Sequence, residues 1–333
     1  MIKRSFVILC CLLLIFSVTI FSCKKESKSQ SAQKVELKVG MTLTMDSHYG
    51  MGLQELARLI KLYSNETVTL EIFPNSTLGN ERDLIEGVSM GTIPMALSST
   101  GPIPNFFPEF AVLDLPYLFP TAEIAYKALD GEVGTELLGL LDSKGIIGLG
   151  FWENGFRHVT NSKKEIKKPA DLKGMKIRTM ENEIHMNAYR QYGATPTPMA
   201  FGELFIAMQQ GAVDGQENPA ILINTSKFFE VQKYMSLTGN FYSPSVLMIS
   251  KKVFDGMTEA QKNAVLKAAG EAKEWQRNFS QSNTAAAIDN IRKSGTTVTE
   301  VNLDEWIAVS QATYKDFAGK LNQDHIKKIQ AIK

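Results

Sequence analysis

The chain reads as an α/β protein of two domains, and three observations predict this. Strand-like and helix-like patterns alternate along most of its length. Its 333 residues are enough for two cores. From Thr258 to Lys293 a helical pattern runs without a proline, and at 1.5 Å per residue it would span roughly 50 Å, more than one small domain needs.

In chain order, Val35 to Met41 alternates apolar and polar residues as a half-buried strand does. Asp46-Ser47 opens an amphipathic helix through Leu53, Leu56, Ala57, Ile60 and Tyr63, and a second strand covers Val68 to Phe73. Asn80 is placed to cap a helix whose first turn carries Glu81 and Asp83. Ile93 to Leu97 is a short strand running into Ser98-Ser99-Thr100-Gly101-Pro102-Ile103-Pro104. Phe110 to Phe119 supplies apolar mass for a first core, before helices from Thr121 and Gly131. Ile146 to Asn161 predicts two strands around Glu153-Asn154-Gly155, in which Trp152 and Phe156 serve packing. Ser243 to Ser250 is β-prone and returns the chain toward the first domain. The long helix follows, with Gly270 its natural place to bend. A strand at Thr297 to Val301 and a helix from Asp304 complete the chain.

Met1 to Ser22 stands apart. Lys3 and Arg4 make a positive start, Phe6 to Phe21 is almost wholly apolar, and Ser22 sets a small residue before Cys23. Segment 1–22 resembles a bacterial lipoprotein signal, with Cys23 the lipidated first residue of the mature chain. A single membrane-spanning anchor is the alternative, since about eighteen apolar residues can cross a bilayer. Both place the folded part outside the cytoplasm. Residues 23–34, mostly Lys, Glu, Ser and Gln, read as a flexible tether. Loss of the signal removes Cys10 and Cys11, so no disulfide is expected. Loss of Lys3 and Arg4 takes 36 basic residues to 34 against 35 acidic ones, a net charge of −1, which provides no field for nucleic acid. His48, His158, His185 and His325 have no ligand-like spacing, and neither a metal nor another cofactor is expected.

The chemistry concentrates between Pro169 and Pro219. The strand Met175-Lys176-Ile177 ends on Arg178, at the kind of position where α/β sheets place ligand contacts. A guanidinium there grips a carboxylate through two parallel hydrogen bonds, which Lys cannot reproduce. A solvated surface arginine is the plainer alternative. Three linked runs give more: Asp171-Leu172-Lys173-Gly174-Met175-Lys176-Ile177-Arg178; Gly193 to Pro198 followed by Met199-Ala200-Phe201-Gly202-Glu203; and Val213-Asp214-Gly215-Gln216-Glu217-Asn218-Pro219. Together they resemble the second-domain signature of substrate-binding proteins of tripartite ATP-independent periplasmic (TRAP) transporters. Phe73 to Glu86 resembles a first-domain signature of the same family, with Thr77 where a Gln is usual, and Leu115-Pro116-Tyr117 matches it too. The likeness covers most of Val35 to Lys333.

That resemblance implies a two-lobed periplasmic binding-protein fold, each lobe a mixed sheet flanked by helices, with the long helix bracing both. Lobe I would comprise 35–155 and 244–283, and lobe II 156–243 and 284–333. It implies no enzyme, but capture of a small organic acid by lobe closure and delivery to small and large membrane subunits driven by an ion gradient. The ligand-binding candidates are Arg178, Arg157, Asn218, Phe201, Met180, Ser98, Ser99 and Thr42. Arg178 would provide the fork, Asn218 an amide donor from the opposite wall, and Phe201 an apolar face. Arg157 stands where many members have a second basic contact to the carboxylate; a hinge salt bridge to Glu153 or another acid is the alternative. Glu203 and Glu217 are expected to cap or pair. Because Ser98 to Pro104 offers hydroxyls and no charge, a monocarboxylate with a mainly apolar or lightly hydroxylated body is expected ahead of a highly polar sugar acid.

Two other function classes compete with this one. Glu153, Asp214 and Glu217 contain enough carboxylates for hydrolytic chemistry, but no nucleophile with a base or phosphate loop accompanies them. A non-transport surface lipoprotein, or a binding protein of the same fold for an apolar ligand, would need no arginine at a strand end.

Overall fold

The computed structural model describes residues 34–333. The expected signal 1–22, Cys23 and the expected tether as far as residue 33 lie outside the described residues.

The first elements are β1 (Val35–Gly40), α1 (His48–Tyr63), β2 (Val68–Phe73), α2 (Glu81–Met90) and β3 (Met95–Ser99). Next come α3 (Ala122–Asp130), α4 (Glu132–Leu140), β4 (Ile146–Asn161), β5 (Lys176–Thr179), α5 (Glu183–Gln191), β6 (Thr195–Pro198), α6 (Phe201–Gln209), β7 (Gly215–Pro219) and α7 (Ala220–Thr225). The last are β8 (Tyr234–Ser250), α8 (Lys251–Asp255), α9 (Glu259–Lys293), β9 (Thr297–Glu300), α10 (Leu303–Phe317) and α11 (Gln323–Gln330). The helix starts follow the capping chemistry. Ser47 Oγ accepts from the Gly50 N–H, Asn80 and Asp83 form a capping box, and so do Thr258 and Gln261.

The fold is two-lobed and α/β. The sheet order is β2-β1-β3-β8-β4-β7-β5-β6, with β9 beside β8. β1 pairs parallel with β2 and β3, and β5 pairs parallel with β6 and β7. Between these two parallel groups run β4 and β8, of 16 and 17 residues, paired antiparallel along nearly their whole length from Ile146↔Ser250 to Asn161↔Tyr234. Two unusually long strands thus carry the backbone from one group to the other.

The structure corrects the expectation of two strands in Ile146 to Asn161. One strand runs through, because a register shift between Glu153 and Gly155 absorbs Asn154 as an extra residue. Gly155 takes a φ of +121°, which its missing Cβ permits. β8 likewise begins at Tyr234, earlier than expected, because its first residues find partners in both β4 and β9.

The long helix α9 is continuous over 35 residues and packs on α1, β4 and α7. It grips the bulge from behind. Gln276 accepts from Glu153 N–H at 2.9 Å and donates to Glu153 O at 2.7 Å, and Gln281 donates to both Glu153 carboxylate oxygens at 2.7 and 2.8 Å. Arg277 reaches Phe151 O at 2.7 Å and pairs with Asp130 at 2.6 Å. The residues just before the bulge, Phe151 and Glu153, are therefore hydrogen-bonded to α9 away from solvent, as buried backbone requires.

Candidate arginine-lined cavity

A small cavity opens beside the bulge. Thr42 and Leu43 reach it from the end of β1, Ser99 from the end of β3, Arg178 and Met180 from the end of β5, and Asn218 from β7. Tyr49 of α1, Leu222 of α7, Asn154 and Arg157 of β4, and the first residues of α2 and α6, Glu81 and Phe201, close it. Strand C-terminal ends and helix N-termini converge there, as in other open α/β sheets.

Arg178 is 3% exposed. Its Nε and Nη2 donate to the Met199 carbonyl at 3.1 and 2.7 Å, which fixes the plane of the guanidinium. No carboxylate among the described residues lies within ion-pair distance of it. Burial, and then the neighbouring Arg157 charge, hold its pKa down at about 10. This is a desolvated cation whose second edge has no protein partner.

Arg157 is fully buried and takes the other route. Its Nε and Nη2 donate to the Glu217 carboxylate at 2.5 and 2.9 Å, and Nη2 also reaches Glu217 O and Asn218 Oδ1, while Nη1 has no partner. Burial pushes the Glu217 carboxyl up, but the Arg157 charge, then His185, and the Arg157 hydrogen bonds overcome this and bring it to about 2. Arg157 thus makes an internal salt bridge and lines the cavity at once; its acid is Glu217 rather than Glu153.

Three corrections follow from geometry. Ser98 does not line the cavity: its Oγ donates to Ser99 O, and successive strand residues face opposite ways, so only Ser99 points in. Asn218 is not opposite Arg178 but on the same side, since β7 neighbours β5; its amide accepts from Arg157 and donates to Gln216. Nor is the wall at Ser99 free of charge. Glu81 accepts from Ser99 N–H at 2.6 Å and from Ser99 Oγ at 2.9 Å, and burial pushes its carboxyl up despite those bonds.

Sequence reasoning missed Tyr49, Glu81 and Asn154. Tyr49 OH, Asn154 Oδ1 and Arg157 Nη1 are buried without a hydrogen-bond partner, and all three residues line the one cavity. Such groups cost about 1–3 kcal/mol each when unpaired; Tyr49 OH and Arg157 Nη1 can donate into the cavity, and Asn154 Oδ1 can only accept. The carboxylates considered for hydrolysis do not assemble: Glu153 is held by Gln281, Tyr126 and Tyr242, and Asp214 binds Lys176 N–H and Lys163.

Residues 39–320 match the family model described as bacterial extracellular solute-binding protein, family 7. A solute-binding protein of Verminephrobacter eiseniae is 39% identical over 305 residues, which is 90% of this chain and 91% of that one. A TRAP periplasmic solute-binding protein from Polaromonas sp. JS666, bound to D-erythronate, superposes with a TM-score of 0.88 at 44% identity, covering 90% of this chain and 99% of the other. A TRAP periplasmic solute-binding protein from Bordetella, with density assigned to pantoate, gives 0.88 at 38% identity over 90% of this chain and 100% of its own.

Replacing Glu217 with Gln leaves the Arg157 cation buried and uncompensated, and is expected to cost about 3–5 kcal/mol of stability. Since the Glu217 carboxyl is depressed from 4.5 to about 2, its contribution is present above the unfolded value and is lost as pH falls through the folded one. Urea unfolding of wild type and Glu217→Gln checks both: the gap should narrow toward about pH 2, and a constant gap contradicts the pairing.

Proposed function

This chain belongs to the bacterial extracellular solute-binding proteins of family 7, the solute-binding components of TRAP transporters, and from that premise we propose that the cavity captures a short hydroxylated monocarboxylate for transport. The observation that carries the reading is Arg178, a buried guanidinium with one edge bound to Met199 O and no acid of its own. A ligand carboxylate completes it, and Arg157 Nη1 is a second donor. Tyr49 OH, Asn154 Oδ1 and the Glu81 carboxylate are placed for ligand hydroxyls. Phe201, Met180 and Leu222 cover the carbon chain, while Thr42, Ser99 and the remaining Asn218 amide hydrogen complete the polar rim. Apolar-bodied acids leave several of these groups unpaired, so hydroxylated acids rank ahead of them. D-erythronate, bound by the Polaromonas protein, and pantoate, the acid assigned in the Bordetella protein, are the first probes.

Capture would proceed by closure of lobe I (35–155 and 244–283) on lobe II (156–243 and 284–333), with the Asn154 bulge near the crossing. Delivery is to the small and large membrane subunits of the transporter. Cys23 is the proposed lipid attachment, supported by the sequence of 1–22 alone. Metabolic labelling with a clickable fatty acid should mark wild type and spare Cys23→Ala; equal labelling of both removes the anchor from this account.

Arg178→Lys keeps the charge and loses the fork. Affinity for D-erythronate by calorimetry should fall by about 2–5 kcal/mol. Near-unchanged affinity in the variant would sink the carboxylate role.

A further inference from the structure

Behind Glu217 lies a buried histidine that the capture chemistry has not used. His185, in the first turn of α5, is fully buried. Its Nε2 is 3.3 Å from Asp114 Oδ1 and its Nδ1 is 3.8 Å from Glu217 Oε1. Both are ion-pair distances, and no group other than these two carboxylates pairs with either nitrogen. The ring is clamped in this orientation by Phe241 of β8, stacked on it at 3.9 Å and 15°. In either neutral tautomer one ring nitrogen would turn a lone pair toward a carboxylate oxygen; only the imidazolium presents N–H to both.

The charges therefore alternate in a line: Asp114, His185, Glu217, Arg157, ending at the unpartnered Arg157 Nη1 on the cavity. We infer that His185 is a positioning residue, held as an imidazolium between Asp114 and Glu217, which fixes Glu217 and so Arg157, and that acid capture needs its proton. Without that proton, two buried carboxylates face the single Arg157 from behind, and the field at the cavity turns against an anion. On the lobe assignment above, Asp114 belongs to lobe I and His185 and Glu217 to lobe II, so the imidazolium is also a tie across the closed form. Asn182 reinforces it, donating to Gly101 O at 2.8 Å and to Asp114 Oδ2 at 2.7 Å.

The groups packed around α5 leave the assignment clear. From the turn Pro108–Asp114 comes Asp114, from β7 Glu217, from β4 Arg157 behind Glu217, and from β5 Arg178. β6 offers no titratable side chain. Asp316 of α10 bonds Asn187 and Gln191 on the exposed side of α5. On α5 itself Tyr189 bonds Asn240. Burial pushes the imidazole down, yet Asp114 and Glu217 outweigh it and raise its pKa above 6.5. Burial instead drives His48 to about 3 and His158 to about 4. With a raised folded value, the His185 contribution is complete below 6.5 and is lost as pH rises through the folded pKa.

The inference rests on the acid-capture reading, and two measurements separate them. Nitrogen NMR of histidine-labelled full-length protein reads the ring directly: both His185 nitrogens should remain protonated well above pH 6.5, and titration at or below that value overturns the inference whatever the protein binds. Calorimetry with D-erythronate from about pH 6 to about pH 9 should give wild-type affinity that falls by up to about tenfold per pH unit above the His185 pKa. His185→Gln should bind about tenfold or more weakly at low pH, show a flat profile, and converge with wild type at high pH. Arg178, at about 10, titrates above this window. A flat wild-type profile, or a variant that tracks wild type, overturns the inference while leaving acid capture intact. Absence of D-erythronate binding by wild type at every pH counts against the capture reading, and the NMR result then decides the histidine alone.

Discussion

The structure depends on one electrostatic constraint: a guanidinium taken out of water and left without a carboxylate. Arg178 has only the Met199 carbonyl for a partner, and an interior cation is costly unless paired and hydrogen-bonded. Next to it, Arg157 has its charge balanced within the fold, with Glu217 and Asn218 filling two of its nitrogens and only Nη1 left without a partner. The contrast between the two is the ground for proposing that the cavity takes an anion. One arginine is balanced within the fold, and the other is held ready for charge from outside.

The backbone serves this arrangement. β4 and β8 pass between the two parallel groups of strands, and the bulge at Asn154 re-aims that residue into the cavity without ending the strand. Gln276 and Gln281 of α9 satisfy Glu153 immediately before it, so the irregular step is stiff. Stiffness matters because a clamp on a carboxylate works only if its donors are already aligned.

Much of the fold was legible because its signals are local. The capping residues Ser47, Asn80 and Thr258 act within one turn, and the proline-free pattern of α9 declares itself. Arg178 was legible as well, since the strand Lys176–Thr179 leads straight to the cavity. What was hidden depends on register and distance. Alternation says that Ser98 and Ser99 face opposite ways but not which faces inward. Glu-Asn-Gly in β4 signals a turn or a bulge equally well, and the pairing with β8 chooses the bulge. Glu81 reads as a first-turn acid favoured by the helix dipole, and only the approach of Ser99 makes it part of the wall. Arg157 finds Glu217 sixty positions along the chain, a pairing that no short motif announces.

The most direct test of the central claim compares D-erythronate with its uncharged amide, which has nearly the same shape and hydroxyls. If the unpaired Arg178 charge governs selection, thermal denaturation should show stabilisation by the acid, about 2.7 kcal/mol at a hundredfold excess over its dissociation constant, and little by the amide. Equal stabilisation by both would contradict it, because the site would then recognise hydroxyls and shape without the carboxylate.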